Sequence, residues 1–257
     1  MMNAQNRLAV VTGASSGIGR ATAEKLLEVG IDVIGNARRG DRLVEMEVTA
    51  TRQGRGKFTG VVGDIGNQTT LDDLMSKCVS EADRTPDIFV INAGKGLAGS
   101  ILTSDAQKWA ELFHLNCISA MWQMKAAAKA MLERSRQSIT PEVQDIVVLG
   151  SIVGRHLSPG NHIYGATKFA LHSLAESLRR ELAPHWIRVT LIEPGTVRSE
   201  FQEVAGYDLD IVDKQEEEVG PYVSAQDVAR LIEFVISQPN NVHFSDLVIR
   251  PTRQTYP

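Results

Sequence analysis

Seven short apolar runs punctuate the chain almost from its start: LAVVTG (8–13), DVIGN (32–36), KFTGVVGD (57–64), DIFVIN (87–92), DIVVLGS (145–151), RVTLIEPG (188–195) and SDLVIR (245–250). Each is rich in β-branched residues, and its apolar positions follow one another instead of alternating with polar ones. That pattern belongs to strands covered on both faces. Between the runs, helical periodicity predicts helices over about 17–29, 67–83, 104–134, 162–183 and 224–238. Ser104 with Gln107 and Ser224 with Asp227 read as N-terminal capping pairs. Regular strand–helix alternation with crossovers of one hand predicts an α/β fold built on a doubly wound parallel sheet.

No repeat divides the 257 residues, and no linker rich in Pro, Gly or Ser does so, so residues 1–257 are read as a single domain. At 43% hydrophobic the chain can bury a sizeable core. A formal net charge of -4 gives no electrostatic basis for nucleic acid binding. MMNAQNRLAVV lacks an apolar stretch long enough for a signal peptide, and no later run could span a bilayer, so a soluble cytoplasmic protein is expected. Cys78 and Cys117 form no CxxC and read as buried thiols. The histidines form no HExxH or Cys/His cluster, so no metal site is expected.

Two stretches look irregular. ERSRQSITPEV (133–143) reads as an exposed connection. Residues 200–218 carry eight acidic residues and one lysine. That run is either a solvated, mobile loop or part of a substrate lid spanning about 198–223.

VVTGASSGIGRATAEKL places Gly13, Gly17 and Gly19 between the first strand and the first helix. Glycine belongs there because the backbone must turn sharply and approach a bulky anion, which the helix N-terminus then holds. This points to a Rossmann-type dinucleotide site. The same residues spell GxSxG, the nucleophile elbow of α/β-hydrolases, with Ser15 as nucleophile. Against a hydrolase, the motif ends the first strand, and Gly19 has no part in an elbow. At the end of the second strand, the position that would carry an acid for a ribose 2′-OH is Ala37, followed by Arg38 and Arg39. Guanidinium groups there suit the 2′-phosphate of NADP(H).

In HIYGATKFAL, Tyr164 and Lys168 stand four apart and leave a helix on one side, separated by Gly165, Ala166 and Thr167. The apolar stripe Ile163, Ala166, Ala170, Leu174, Leu178 and Leu182 puts the pair beside the buried face, off its centre. A phenol of pKa about 10 needs help to exchange protons at neutral pH. Charges about 4 Å apart at an effective dielectric of 20 interact by about 4 kcal/mol, equivalent to roughly three pKa units. The ammonium would thus draw the phenol down into working range.

Together these motifs resemble the short-chain dehydrogenase/reductase family, in its small single-domain subgroup, along nearly the whole chain. TGASSGIG looks like its glycine loop, NAG (92–94) its NNAG motif, YGATK its YxxxK signature and PGTV (194–197) its nicotinamide-side loop. The resemblance implies that Tyr164 is the general acid or base, Lys168 its partner, Ser151 a donor to the reacting oxygen and Asn116 a support for a proton relay. It implies cofactor contacts from Gly13, Ser15, Ser16, Gly17, Ile18, Gly19, Asp64, Ile65, Asn92, Ala93, Gly94, Tyr164, Lys168, Pro194, Gly195, Val197 and Ser199. A homotetramer or homodimer follows from the same resemblance. Ile91 departs from the family, standing where NNAG has its first asparagine.

YGATKFAL, RVTLIEPGTVRSEF and IRPTRQTYP are similar to the branch of NADP-dependent 3-hydroxy acid (serine-type) dehydrogenases, which also reduces small aldehydes and ketones. A 3-oxoacyl thioester or general ketone reductase, and an NADP sensor without turnover, remain open. Arg155, His156 and Arg198 are candidates to pair with a substrate carboxylate, or else surface groups. Lys95 is read as a cofactor or substrate contact or a solvated lysine. Arg250 and Arg253 are placed at an oligomer interface, as are the apolar faces carrying Phe113, Met121 and Trp122.

Overall fold

The computed structural model describes residues 7–53, 55–137 and 142–256. Strands β1 (Leu8–Thr12), β2 (Asp32–Ala37), β3 (Phe58–Val62), β4 (Ile88–Ile91), β5 (Gln144–Leu149), β6 (Ile187–Pro194) and β7 (Asp246–Ile249) fall on the seven apolar runs, to within a residue or two at their ends. They form one sheet in the order β3-β2-β1-β4-β5-β6-β7, every pair parallel. The helices are α1 (Gly17–Glu28), α2 (Gly40–Gln53), α3 (Gln68–Ala82), α4 (Trp109–Phe113), α5 (Ala120–Gln137), α6 (His162–Leu182), α7 (Phe201–Val204), α8 (Leu209–Val219) and α9 (Ala225–Ile236).

The continuous apolar runs have the expected cause. All five residues of β1 are buried. Ala9 and Val11 face a core with Leu26, Leu43, Met46, Val228 and Ile232, from α1, α2 and α9. Leu8 and Val10 face the opposite core, with Leu71, Leu74, Met124, Met131 and Leu171 from α3, α5 and α6. With side chains alternating between faces, a strand sandwiched by two helical layers must be apolar at every position. Ile91 is buried in the second core, which explains why an isoleucine is tolerated there.

Several expectations need correction. Helix α2 was not anticipated: its buried residues are only Leu43, Met46 and Ala50, while Val44 and Val48 face solvent and blur the stripe. The acidic stretch is not an irregular loop but folds as α7 and α8. Asp208 caps α8 by accepting from the Asp210 and Ile211 amides, and Asp210 adds an acid in the first turn, where a helix N-terminus favours one. The helix expected over 104–134 is broken into a 3-10 turn at Ala106–Lys108, α4, a π-helical stretch at His114–Ser119, and α5. Its first cap is Asp105, which accepts from Gln107, while Ser104 accepts the Trp109 indole N–H instead. The Ser224–Asp227 capping box forms as expected. The connection proposed at 133–143 is helical to Gln137, and residues 138–141 lie outside the described residues.

The chain runs outward from β1 to β3, then crosses back to β4 on the other side of β1. The crevice at the carboxyl ends of β1 and β4 is therefore the switch point of the sheet, where such folds bind ligands.

Candidate active site

The turn after β1 is left-handed at Gly13 (φ 71°) and Gly17 (φ 52°), conformations that a side chain would strain. Gly19 is needed for closeness: a Cβ there would lie 2.3 Å from the Gly13 carbonyl oxygen. Helix α1 then starts without a side-chain cap and with no acid in its first turn. Its first N–H groups and the positive end of its dipole point into the crevice unspent. The serines that might have capped it are engaged elsewhere. Arg39 donates to the Ser15 hydroxyl (Nε, 3.2 Å) and to the Ser16 hydroxyl (Nη2, 2.6 Å). Ser15 thus hydrogen-bonds a guanidinium where a nucleophile elbow requires a histidine, and the hydrolase reading falls. Ile18 packs toward Ala21, Ala225 and Ala229.

Thr12 ties this turn to the next. Its hydroxyl accepts from the Asn92 and Ala93 amides (3.2 and 3.1 Å) and bonds Gln123 Oε1 (3.0 Å), while Asn92 Nδ2 donates to the Thr12 carbonyl (2.8 Å). Asn92, Ala93 and Gly94 are therefore fixed beside Gly13. Asp64 is exposed and accepts from the Gly66 amide in a local turn. The Ile65 side chain is buried in the second core, so only its backbone can face a ligand.

Arg39 and Arg42 converge on Glu200, at 2.8 and 2.7 Å, and both hold its carboxyl below the usual carboxylate range. Arg38 is exposed. Neither Arg42 nor Glu200 was anticipated. Arg42 was hidden because α2 was missed, and Glu200 because 158 residues of chain separate the pair.

At the other side of the crevice, Ser151 follows β5, and Tyr164 and Lys168 come from the first turns of α6. Tyr164 and Lys168 are buried, at the centre of the inward stripe with Leu171 and Ala175, whereas Ala166 is exposed. This corrects the stripe read from sequence, which put the pair at its margin. Lys168 Nζ donates to the Leu149 carbonyl at 2.7 Å and sits 5.7 Å from the Tyr164 ring centre. Burial pushes the Lys168 ammonium down to about 8. Burial also pushes the Tyr164 phenol above its ordinary range, the neighbouring Tyr207 adds to this, and a hydrogen bond with Ser151 opposes it. The expected lowering of the phenol by lysine does not occur, because desolvation of a fully enclosed group outweighs the other influences.

Asn116 lies on the π-helical stretch. It donates to the Lys95 carbonyl (2.9 Å) and to the Thr167 hydroxyl (3.0 Å), and accepts the Lys95 amide (3.0 Å). The widened turn lets one asparagine bind both the loop after β4 and α6. The Lys95 ammonium pairs with Glu111.

Past β6, Pro194 and Gly195 pass under the C-terminal tail, whose Gln254 accepts the Thr196 amide at 3.3 Å. Gln202, missed by sequence reasoning, accepts the Ser199 amide and donates to the Val197 carbonyl, fixing that loop. The Phe201 ring lies 5.6 Å from the Tyr164 ring, tilted by 60°, and Tyr207 lies 6.5 Å beyond Phe201. Arg198 turns away to Asp213 (2.6 Å) and Glu216 (3.3 Å), and Arg155 grips Glu193 (2.5 Å). His156 and Arg253 are exposed, and the Arg250 backbone packs over Gly195.

The sequence pattern of the short chain dehydrogenase family matches residues 7–209. The chain belongs to the short chain dehydrogenase family. It is similar to dehydrogenase/reductase SDR family member 11 of Bos taurus, at 31% identity over 97% of this chain and 98% of that one. It is likewise similar to an uncharacterised oxidoreductase of Staphylococcus epidermidis, at 30% identity over 98% of this chain and all of that one (100%). Among solved structures, the closed form of serine dehydrogenase complexed with NADP+ superposes with a TM-score of 0.85 at 25% identity, covering 97% of this chain and 96% of that one. As a short chain dehydrogenase the chain is an oxidoreductase whose fold binds a nicotinamide cofactor, and among the described residues no helix is long and apolar enough to cross a membrane.

Proposed function

We propose that the protein is an NADP(H)-dependent reductase that interconverts a small carbonyl compound and its alcohol. One observation carries this: Ser151, Tyr164 and Lys168 meet at the carboxyl edge of the sheet, across the switch-point crevice from an uncapped helix N-terminus. The cofactor fits the residues present. The free start of α1 suits a pyrophosphate, and the Ser15, Ser16, Arg39 and Arg42 cluster suits a 2′-phosphate, with the Glu200 carboxylate standing in for that anion. When bound, the nicotinamide supplies or takes up the hydride.

The chain's own residues handle the oxygen. The Ser151 and Tyr164 hydroxyls donate to the carbonyl oxygen, and Tyr164 delivers its proton as negative charge develops there. A phenol raised by burial arrives loaded with that proton. Lys168, charged below about pH 8, steadies the phenolate left behind. In the reverse direction the phenolate is the base.

The wall beside Tyr164 is apolar, built of Leu97, Ile152, Val153 and Ile163 with Trp109 and Phe201. Arg155 and Arg198 already carry internal carboxylates. Both facts favour a neutral aldehyde or ketone. The likeness to serine dehydrogenase keeps a 3-hydroxy acid as the second reading, with exposed His156 as the remaining hydrogen-bond donor for its carboxylate. Helices α7 and α8 form the lid. Exposed Phe113, Ile118, Met121 and Phe169 supply an apolar face for a homodimer or homotetramer, while Trp122 turns inward against His114.

The test is NADPH oxidation with a panel of small aldehydes, ketones and 3-oxo acids. Wild type turns over at least one of them, and Tyr164→Phe loses about 10²- to 10⁴-fold in kcat while still binding NADPH. Equal rates in both proteins would defeat the assignment.

A further inference from the structure

Helix α6 carries a third polar residue on the catalytic face. Tyr164, Lys168 and His172 stand at successive steps of four, so one helix side presents all three to the end of β5. Lys168 donates to the Leu149 carbonyl, and two residues later the Ser151 amide donates to His172 Nε2 at 3.3 Å. The imidazole fits tightly there. A Cβ on Gly150 would lie 2.5 Å from Nε2, and one on Gly154 would lie 2.4 Å from it. Any side chain at either position would evict the ring.

The far side of the ring is equally specified. His172 Nδ1 faces Glu193 Oε2 at 3.8 Å, and Glu193 is 0% exposed. Arg155 binds that carboxylate with two bonds, 2.9 Å from Nε and 2.5 Å from Nη2, and reaches Asp246 at 3.9 Å. Because the Ser151 amide is a donor, Nε2 must be unprotonated, so a neutral ring keeps its proton on Nδ1, toward Glu193. Burial holds the ring neutral, pushing His172 down to about 4, and the nearby Lys168 and Arg155 act the same way against Glu193 and Asp246.

We infer that His172 is a positioning residue for the reaction: as the Nδ1–H tautomer it accepts the Ser151 amide and references the catalytic serine to the same helix that carries Tyr164 and Lys168. Ser151 lies in extended backbone at the end of a strand, with its hydroxyl already accepting the Val153 amide at 3.4 Å. Without the His172 contact its amide loses its acceptor, and the serine's place relative to the phenol rests on the hydroxyl's own bonds with Val153 and Tyr164 alone. Glu193 and Arg155 select the tautomer. This role rests on the oxidoreductase reading above.

Two measurements test it. Nitrogen-15 spectra of labelled imidazoles, assigned by loss of signals in His172→Leu, should show His172 with bare Nε2 and protonated Nδ1 at pH 7. An Nε2–H tautomer overturns the inference whether or not a substrate is known. In the turnover assay, His172→Leu should lower kcat about 10- to 100-fold while the NADPH Kd stays within about twofold, as a small misplacement of a reacting group does. His172→Gln, which retains an acceptor, should recover part of the loss. Equal kcat in all three proteins, or a parallel loss of NADPH binding, would refute positioning. Absence of turnover in wild type would count against the oxidoreductase reading alone, leaving the tautomer to decide whether His172 holds Ser151.

Discussion

Burial sets the protonation state of Tyr164, the proposed proton donor. Tyr164 is enclosed and raised, so at neutral pH it is a loaded acid, while Lys168 is lowered to about 8 and becomes the group that titrates within reach. The sign follows from the charge. Below about pH 8 the ammonium is present and supports a developing phenolate, and above it that support is lost. Carbonyl reduction by wild type should therefore hold a plateau on the acid side of pH 8 and decline on the alkaline side, while Lys168→Arg, slower throughout, should lack the alkaline limb because a guanidinium does not titrate there. A wild-type plateau running unchanged to pH 10 would be incompatible with this account. At this scale the residues proposed to react were legible in the sequence, since Tyr164 and Lys168 share a helical spacing and Ser151 ends a strand. His172 was not, because its meaning lies in a contact with Ser151 across 21 residues of chain that no periodicity reports.

The elements that matter beyond the sheet are those the sequence disguised. Helix α2 buries a narrow stripe, and α8 buries little besides Val212, so neither shows the broad apolar face by which helices are recognised. Yet α2 supplies Arg42, and the turn before α7 supplies Glu200. Glu200 occupies both guanidiniums that a 2′-phosphate would use, and the pairs are partly exposed, so each is worth little. Glu200→Gln should tighten NADPH by about 2- to 10-fold and leave NADH unchanged, as measured by fluorescence titration. An equal change for both cofactors would show that Glu200 acts on the turn before α7 alone and not on the phosphate site.

Across the whole molecule, the candidate site and a buried ionic cluster occupy opposite ends of the sheet. The carboxyl ends of the strands carry the crevice. At the other end, Asp145 and Arg188 form a buried bidentate pair (2.7 and 3.0 Å), with Arg7 adding a third bond at 2.6 Å. Arg188 also donates to the carbonyls of Ile236 and Val242, closing the turn after α9 onto the sheet. Removing the acid would strand a buried guanidinium. Asp145→Ala should cost about 3–5 kcal/mol in urea unfolding while leaving the NADPH Kd unchanged. A loss below about 1 kcal/mol would mean that the arginines find other partners. The parallel sheet covered by helices on both faces was foreseeable from uninterrupted apolar runs, whereas this ionic clasp was not, because Asp145 and Arg188 look like ordinary strand-start residues until β5 and β6 pair.

The Thr12 hydroxyl has a consequence for fluctuation. One side chain on a central strand bonds two amides of the neighbouring turn and a glutamine of α5, so the floor of the crevice belongs to the same cooperative unit as the sheet. The roof, α7 and α8, is fastened by partly exposed pairs and little buried area, and belongs to the low-stability end of the molecule. Breathing at the site should thus be one-sided, with α7 and α8 loosening first over a floor that keeps its shape.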